Sequence, residues 1–84
     1  MDNNEFIDFC KQAVINFNKK INNVYLNEED VYVVWLCKTL QNNKALVSTN
    51  TKDSKYYELT YNGNKKEMYV DVYVKQDNFV VKEA

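Results

Sequence analysis

Apolar residues recur early in the chain at Phe6, Phe9, Cys10, Ala13, Val14, Phe17 and Ile21, each with another member three or four positions away. That spacing places them on one stripe of an α-helix. Asp8, Lys11, Gln12, Asn16, Lys19 and Lys20 fall on the other side, with the acidic group early and the basic groups late, as the helix dipole favours. Asp2 with Glu5 three residues on makes a variant of the capping box, so the pattern predicts a helix over roughly residues 3–21, ended by Asn22-Asn23. Three Phe make the stripe broad, which suits packing on a sheet better than a coiled-coil seam.

From residue 31 the period changes. The run 31–41 is rich in β-branched and aromatic residues and contains no Gly or Pro, and segment 44–49 can fold back onto it. Asn42-Asn43 tolerates positive φ and reads as the connection. Closing the hairpin at Gln41 and Lys44 pairs Leu40 with Ala45, Thr39 with Leu46, Lys38 with Val47 and Cys37 with Ser48. A helical reading of 28–40 is disfavoured because Val31, Val33 and Val34 crowd a helix. Asn50-Thr51-Lys52-Asp53-Ser54 reads as a loop, and 55–61 then alternates, with Tyr57, Leu59 and Tyr61 opposite Tyr56, Glu58 and Thr60. Asn62-Gly63 is a strong hairpin signal, with the chain's one Gly where φ above zero is expected. The return strand 66–75 sends Met68, Val70, Val72 and Val74 one way and Glu67, Tyr69, Asp71, Tyr73 and Lys75 the other. Asp77-Asn78 can turn the chain into a short terminal strand, Phe79 to Lys82.

These elements predict a single α+β domain over 1–84: one N-terminal helix on one face of a four- to five-stranded antiparallel meander. The element order is similar to the cystatin-like arrangement, a likeness that carries no function. If the helix covers Leu59, Val70, Val72 and Val74, the opposite face presents Tyr56, Tyr69 and Tyr73 among Glu58, Thr60, Glu67, Asp71 and Lys75. Strand 31–41 is apolar on both sides, and one helix cannot cover both Val34, Leu36 and Leu40 and the alternate set Val33, Trp35 and Cys37. The candidate interaction surface is therefore Val33, Trp35, Cys37, Tyr56, Tyr69, Asp71 and Tyr73. Two readings stay open: the chain's own loop, curvature or terminal strand folds over this patch, or a partner does.

Composition removes several chemistries. Without His, Cys–His and Ser–His–Asp catalysis are excluded and the commonest zinc ligand is missing. Cys10 and Cys37 have no companions for a four-ligand site, and Ser48 and Ser54 have no base nearby in sequence. The cluster Glu28-Glu29-Asp30 lacks the alternating ligands of a calcium loop and reads as a solvated turn. The expectation is no enzyme, no metal and no cofactor; the alternative is a pocket between helix and sheet, opening beside Cys37 or Tyr57, for a small ligand or substrate. All eleven basic residues are Lys and the net charge is −1, so phosphate recognition by Arg is absent, and acidic groups sit among the tyrosines. Tyrosines on a sheet can stack single-stranded bases, which keeps nucleic acid as a second alternative, behind protein. The longest apolar run, Val31 to Cys37, is seven residues, and the first residues have no basic region, which leads to the expectation of a cytoplasmic protein with reduced thiols and no membrane contact.

Thirteen Asn, eleven Lys and seven Tyr, with no Arg, Pro or His, match an AT-rich genome. The stretch from Val31 to Ala45, together with Tyr56-Tyr57-Glu58-Leu59-Thr60-Tyr61-Asn62-Gly63, resembles a family of small uncharacterised proteins from phages and prophages of low-GC Gram-positive bacteria. The resemblance implies provenance and supplies no site residues. It leads to the expectation of a module that binds a host or phage protein through the tyrosine-rich face, and the doubly apolar strand around Trp35 adds that of a homodimer.

Overall fold

The computed structural model describes residues 1–53 and 55–83. Ser54, placed above in the connecting loop, lies outside them. The chain forms α1 (Asn3–Phe17), a π-helical turn (Asn18–Asn22), a short 3-10 turn (Glu28–Asp30) and strands β1 (Val31–Thr39), β2 (Asn42–Thr49), β3 (Tyr56–Asn62) and β4 (Glu67–Tyr73). The strands make one antiparallel sheet in the order β1-β2-β3-β4, with α1 on one face, which is the α+β meander expected. There is no fifth strand among the described residues: 74–83 run without regular structure, and Phe79, Val80 and Val81 are exposed.

The cap of α1 forms as the sequence predicts. The Glu5 N–H donates to Asp2 Oδ1 at 2.8 Å and the Asp2 N–H donates back to Glu5 Oε1 at 3.3 Å. The first of these bonds is the main reason the Asp2 carboxyl lies below its usual range. Phe6, Cys10 and Val14 enter the core with Val31, Ala45, Val47, Tyr57 and Leu59. Phe9 and Phe17 meet Tyr61 and Tyr57 of β3 edge-on, with centroids 6.2 and 6.0 Å apart. Burial pushes the Cys10 thiol up to about 12. The end of the helix widens into the π turn at Asn18, and Asn23 closes it in the left-handed region at φ 55°.

The first hairpin differs from the expected register. Its turn is Leu40-Gln41, so that Thr39 faces Asn42, Lys38 faces Asn43, Leu36 faces Ala45 and Trp35 faces Leu46. Closure at Asn42-Asn43 would have set Lys38 against Val47, which is fully buried under the helix. In the actual register Lys38 lies at the periphery, where its Nζ donates to the Met1 carbonyl at 3.3 Å. The cost falls on Leu40, which takes φ 55° and is 85% exposed.

A bulge between Val33 and Trp35 changes which side the start of β1 presents. Strict alternation would put Val33 outside with Trp35 and Cys37. The additional residue instead turns Val31 and Val33 to the helix side with Leu36, opposite Thr49, Val47 and Ala45, and turns Tyr32 outward. Val33 packs against the core and leaves the candidate surface.

The second hairpin runs through residues 63–66, where Lys66 rather than Gly63 has positive φ. Asn62 Oδ1 accepts from the N–H groups of Asn64 and Lys65 at 3.0 and 3.2 Å, an Asx turn that shapes the loop. Gly63 is needed for a different reason: a Cβ there would collide with the Gln41 carbonyl oxygen and lie 2.9 Å from Gln41 Cβ. The tips of the two hairpins touch at this point.

Helix and sheet differ in width. An α-helix with its side chains is about 10–12 Å across and strands are about 4.8 Å apart, so one helix shelters two or three strands. α1 lies over β1 and β2 and reaches β3 through its Phe rings. Val70 and Val72 point to the helix side as expected but stay 37% exposed, and Val74 is beyond β4 and more exposed still. Leu59 is covered by the helix layer; the three valines are not.

Candidate interaction face

The side of the sheet away from α1 is built in cross-strand rows. One runs Tyr32–Ser48–Tyr56–Tyr73, the next Trp35–Leu46–Glu58–Asp71, and the third Cys37–Lys44–Thr60–Tyr69. Six of the seven expected surface residues, Trp35, Cys37, Tyr56, Tyr69, Asp71 and Tyr73, therefore share this face, and Val33 does not. Tyr32 belongs to it as well, and alternation could not place it because the bulge intervenes. Trp35 is 42% exposed, and Tyr32, Tyr56, Tyr69 and Tyr73 are exposed too. Neither the described part of the 50–55 loop nor the chain after β4 removes these rings from solvent.

Charge is uneven across the face. Glu58 lies directly opposite Asp71, a like-charge pair that weakens the β3–β4 contact. Lys44 relieves Glu58 at 3.7 Å, and the Tyr73 hydroxyl donates to Glu58 at 3.5 Å. The charge of Glu58, assisted by that of Asp71, raises the Tyr73 phenol above its usual range. Tyr69 donates to Glu67 at 2.6 Å, and this bond with the Glu67 charge raises its phenol as well. Both tyrosines therefore keep their protons and act as donors at neutral pH. The β1 side of the face is aromatic and aliphatic, whereas the β4 side is aromatic and acidic.

The opening expected between helix and sheet beside Tyr57 is closed. Tyr57 is 1% exposed, its hydroxyl takes a hydrogen bond from Asn18 Nδ2 at 3.0 Å, and that Nδ2 also donates to the Val14 carbonyl at 2.9 Å. The Asn18 amide is a buried polar group that stripe counting assigns no role, since it falls between Val14 and Ile21 in the apolar spacing. Beside Cys37 there is a shallow depression of about 180 Å³, bounded by Thr39, Asn42, Asn43, Lys44 and Thr60. A larger open cleft of about 700 Å³ lies at the end of the helix, between Ala13, Phe17, Ile21 and Tyr25, with Lys19 and Lys20 at its rim. Glu28, Glu29 and Asp30 form the expected turn, closed by the Asn27 N–H donating to Asp30 Oδ2 at 2.9 Å. No group of three or more potential metal ligands is assembled among the described residues. No helix of the described residues is long and apolar enough to cross a membrane.

Residues 7–83 match a family of unknown function, DUF6275. The chain belongs to this family. No curated protein and no solved structure matches the chain significantly. The DUF6275 match begins inside α1 and runs through the whole sheet, so the face described above lies entirely within the family's region.

Proposed function

We propose that the chain is a non-enzymatic protein-binding module of the cytoplasm, whose outer sheet face meets a host or phage protein. The observation that carries the reading is the open aromatic face: Tyr32, Trp35, Tyr56, Tyr69 and Tyr73 are exposed together, on rigid strands, with no element of the described chain over them. Trp and Tyr supply large contact area with few rotatable bonds and a polar tip, the properties that concentrate binding energy in protein interfaces. Among the described residues no hydrogen bond or ion pair engages the Asp71 carboxylate, which favours a partner that brings a cationic side chain to the β4 side while its apolar surface meets Trp35. Acidic groups among the tyrosines and the lack of Arg weigh against a phosphate backbone. The phage or prophage origin and the low-GC Gram-positive host rest on the sequence resemblance.

The test is affinity capture from a low-GC Gram-positive lysate with the native chain and a Tyr69→Ala/Tyr73→Ala variant, followed by titration of the captured protein in purified form. A protein that binds the native chain directly and the variant at least tenfold more weakly is expected. Salt-sensitive binding to single-stranded DNA or RNA, with no protein captured, overturns the reading.

A further inference from the structure

Among the described residues the sheet has two unpaired edges, β1 and β4, and they are unlike. The bulge at Val33/Trp35 breaks the β1 edge and increases its local twist, a feature that blocks edge-to-edge pairing. β4 pairs with β3 through all seven of its residues without a register shift, so its outer edge is a regular ladder of backbone donors and acceptors. It carries no Lys or Pro within Glu67–Tyr73, the residues that usually protect such an edge. Its helix-side residues, Val70 and Val72, are also the ones that α1 fails to cover.

We propose that β4 pairs antiparallel with β4 of a second copy of this chain, about a two-fold axis through Val70. The register follows from the strand itself. Val70 is the middle of the seven residues of β4, and centring there sets Glu67 against Tyr73, Met68 against Val72 and Tyr69 against Asp71 of the other copy. Each tyrosine hydroxyl then opposes a carboxylate, and every apolar residue opposes an apolar one. The neighbouring registers that keep both helix layers on one side fail on charge. Centring on Asp71 puts that carboxylate against its own symmetry mate, and centring on Tyr69 puts Glu67 against Asp71. Centring on Met68 or Val72 pairs only three residues of the strand.

The arrangement joins the two four-stranded sheets into one of eight. It places Met68, Val70 and Val72 of both copies side by side in the strip between the two helices, where each alone leaves apolar surface in water. The contact uses the strand edge and the helix-side residues, and its register also engages Tyr69, Asp71 and Tyr73 at the margin of the outer face. Sedimentation of the chain alone, with no partner present, tests it separately from the outer-face reading.

Sedimentation velocity of the intact chain across a concentration series up to about 100 µM should show a species of twice 10.0 kDa forming by mass action. Val70→Lys, which sets like charges together on the axis, should return it to the monomer. The register is read by oxidative cross-linking in a Cys37→Ser background. Val70→Cys should give a covalent dimer on a non-reducing gel, because directly opposed side chains come within about 5 Å. Val72→Cys should not, since its symmetry mate is four residues along the strand, roughly 13 Å away. A chain that stays monomeric throughout the series, a dimer that survives Val70→Lys, or a cross-link through position 72 as strong as that through 70 overturns the proposal.

Discussion

β3 and β4 share one alternation but have different surroundings. Tyr57 and Leu59 on β3 stand beside Val72 and Val70 on β4, each pair directly cross-strand and on the same side of the sheet. The β3 residues are essentially inaccessible, whereas the valines remain more than one-third exposed. Alternation therefore decides which side a residue faces, and the width of the opposing layer decides whether it is buried. One helix is too narrow for four strands.

Substitutions can break that comparison. Phe6→Ala removes a ring that is 0% exposed from the helix–sheet contact and should cost about 3–5 kcal/mol, a large share of a small domain's stability. Val72→Ala on β4 should cost less than about 1 kcal/mol in the monomer. A loss at Val72 as large as that at Phe6 in urea unfolding would mean that the helix layer covers β4 after all. A sharper probe lies between α1 and β3. Asn18→Ala leaves the buried Tyr57 hydroxyl without its partner and should cost roughly 1–3 kcal/mol, part of which Tyr57→Phe in the same chain should restore. If the double variant is no better than the single one, the hydroxyl has found another partner. The smallest effect concerns the first turn. Leu40→Gly should stabilise by up to about 1 kcal/mol in the same unfolding assay, because Leu40 is strained at φ 55° and packs on little.

Much of the architecture is legible in residue spacing. The Phe6/Cys10/Val14 stripe, the Asp2–Glu5 cap and the opposite faces of 56–61 and 67–73 all follow from periods of 3.6 and 2. What eluded that reasoning depends on comparisons that one segment cannot make with itself. Asn42-Asn43 is locally a better turn than Leu40-Gln41, but it would drive Lys38 into the middle of the sheet. The bulge obeys the same logic: it brings Val31 and Val33 under the helix, where β2 presents Val47 and Thr49. Six residues of the candidate face share one side because their strands alternate undisturbed or lie beyond the bulge, whereas the bulge turns Val33 to the helix side and adds Tyr32, which alternation alone leaves unassigned. Positive φ, expected at Gly63, falls on Lys66 instead, and what constrains Gly63 is the close approach of Gln41 from the other hairpin.

The strand order β1-β2-β3-β4 also bears on how the chain reaches this state. Every strand pairs with its neighbour in sequence, so the sheet can assemble by successive hairpin closures on short loops, the least entropically demanding route to a β-sheet. The helix is the exception. It precedes the sheet in the chain, yet its apolar stripe has nothing to pack on until β1, β2 and β3, which ends at Asn62, have been made. Docking of α1 joins residues far apart in the chain, as Asn18 and Tyr57 are, whereas each strand pairing joins neighbours, so the helix supplies the long-range part of this topology.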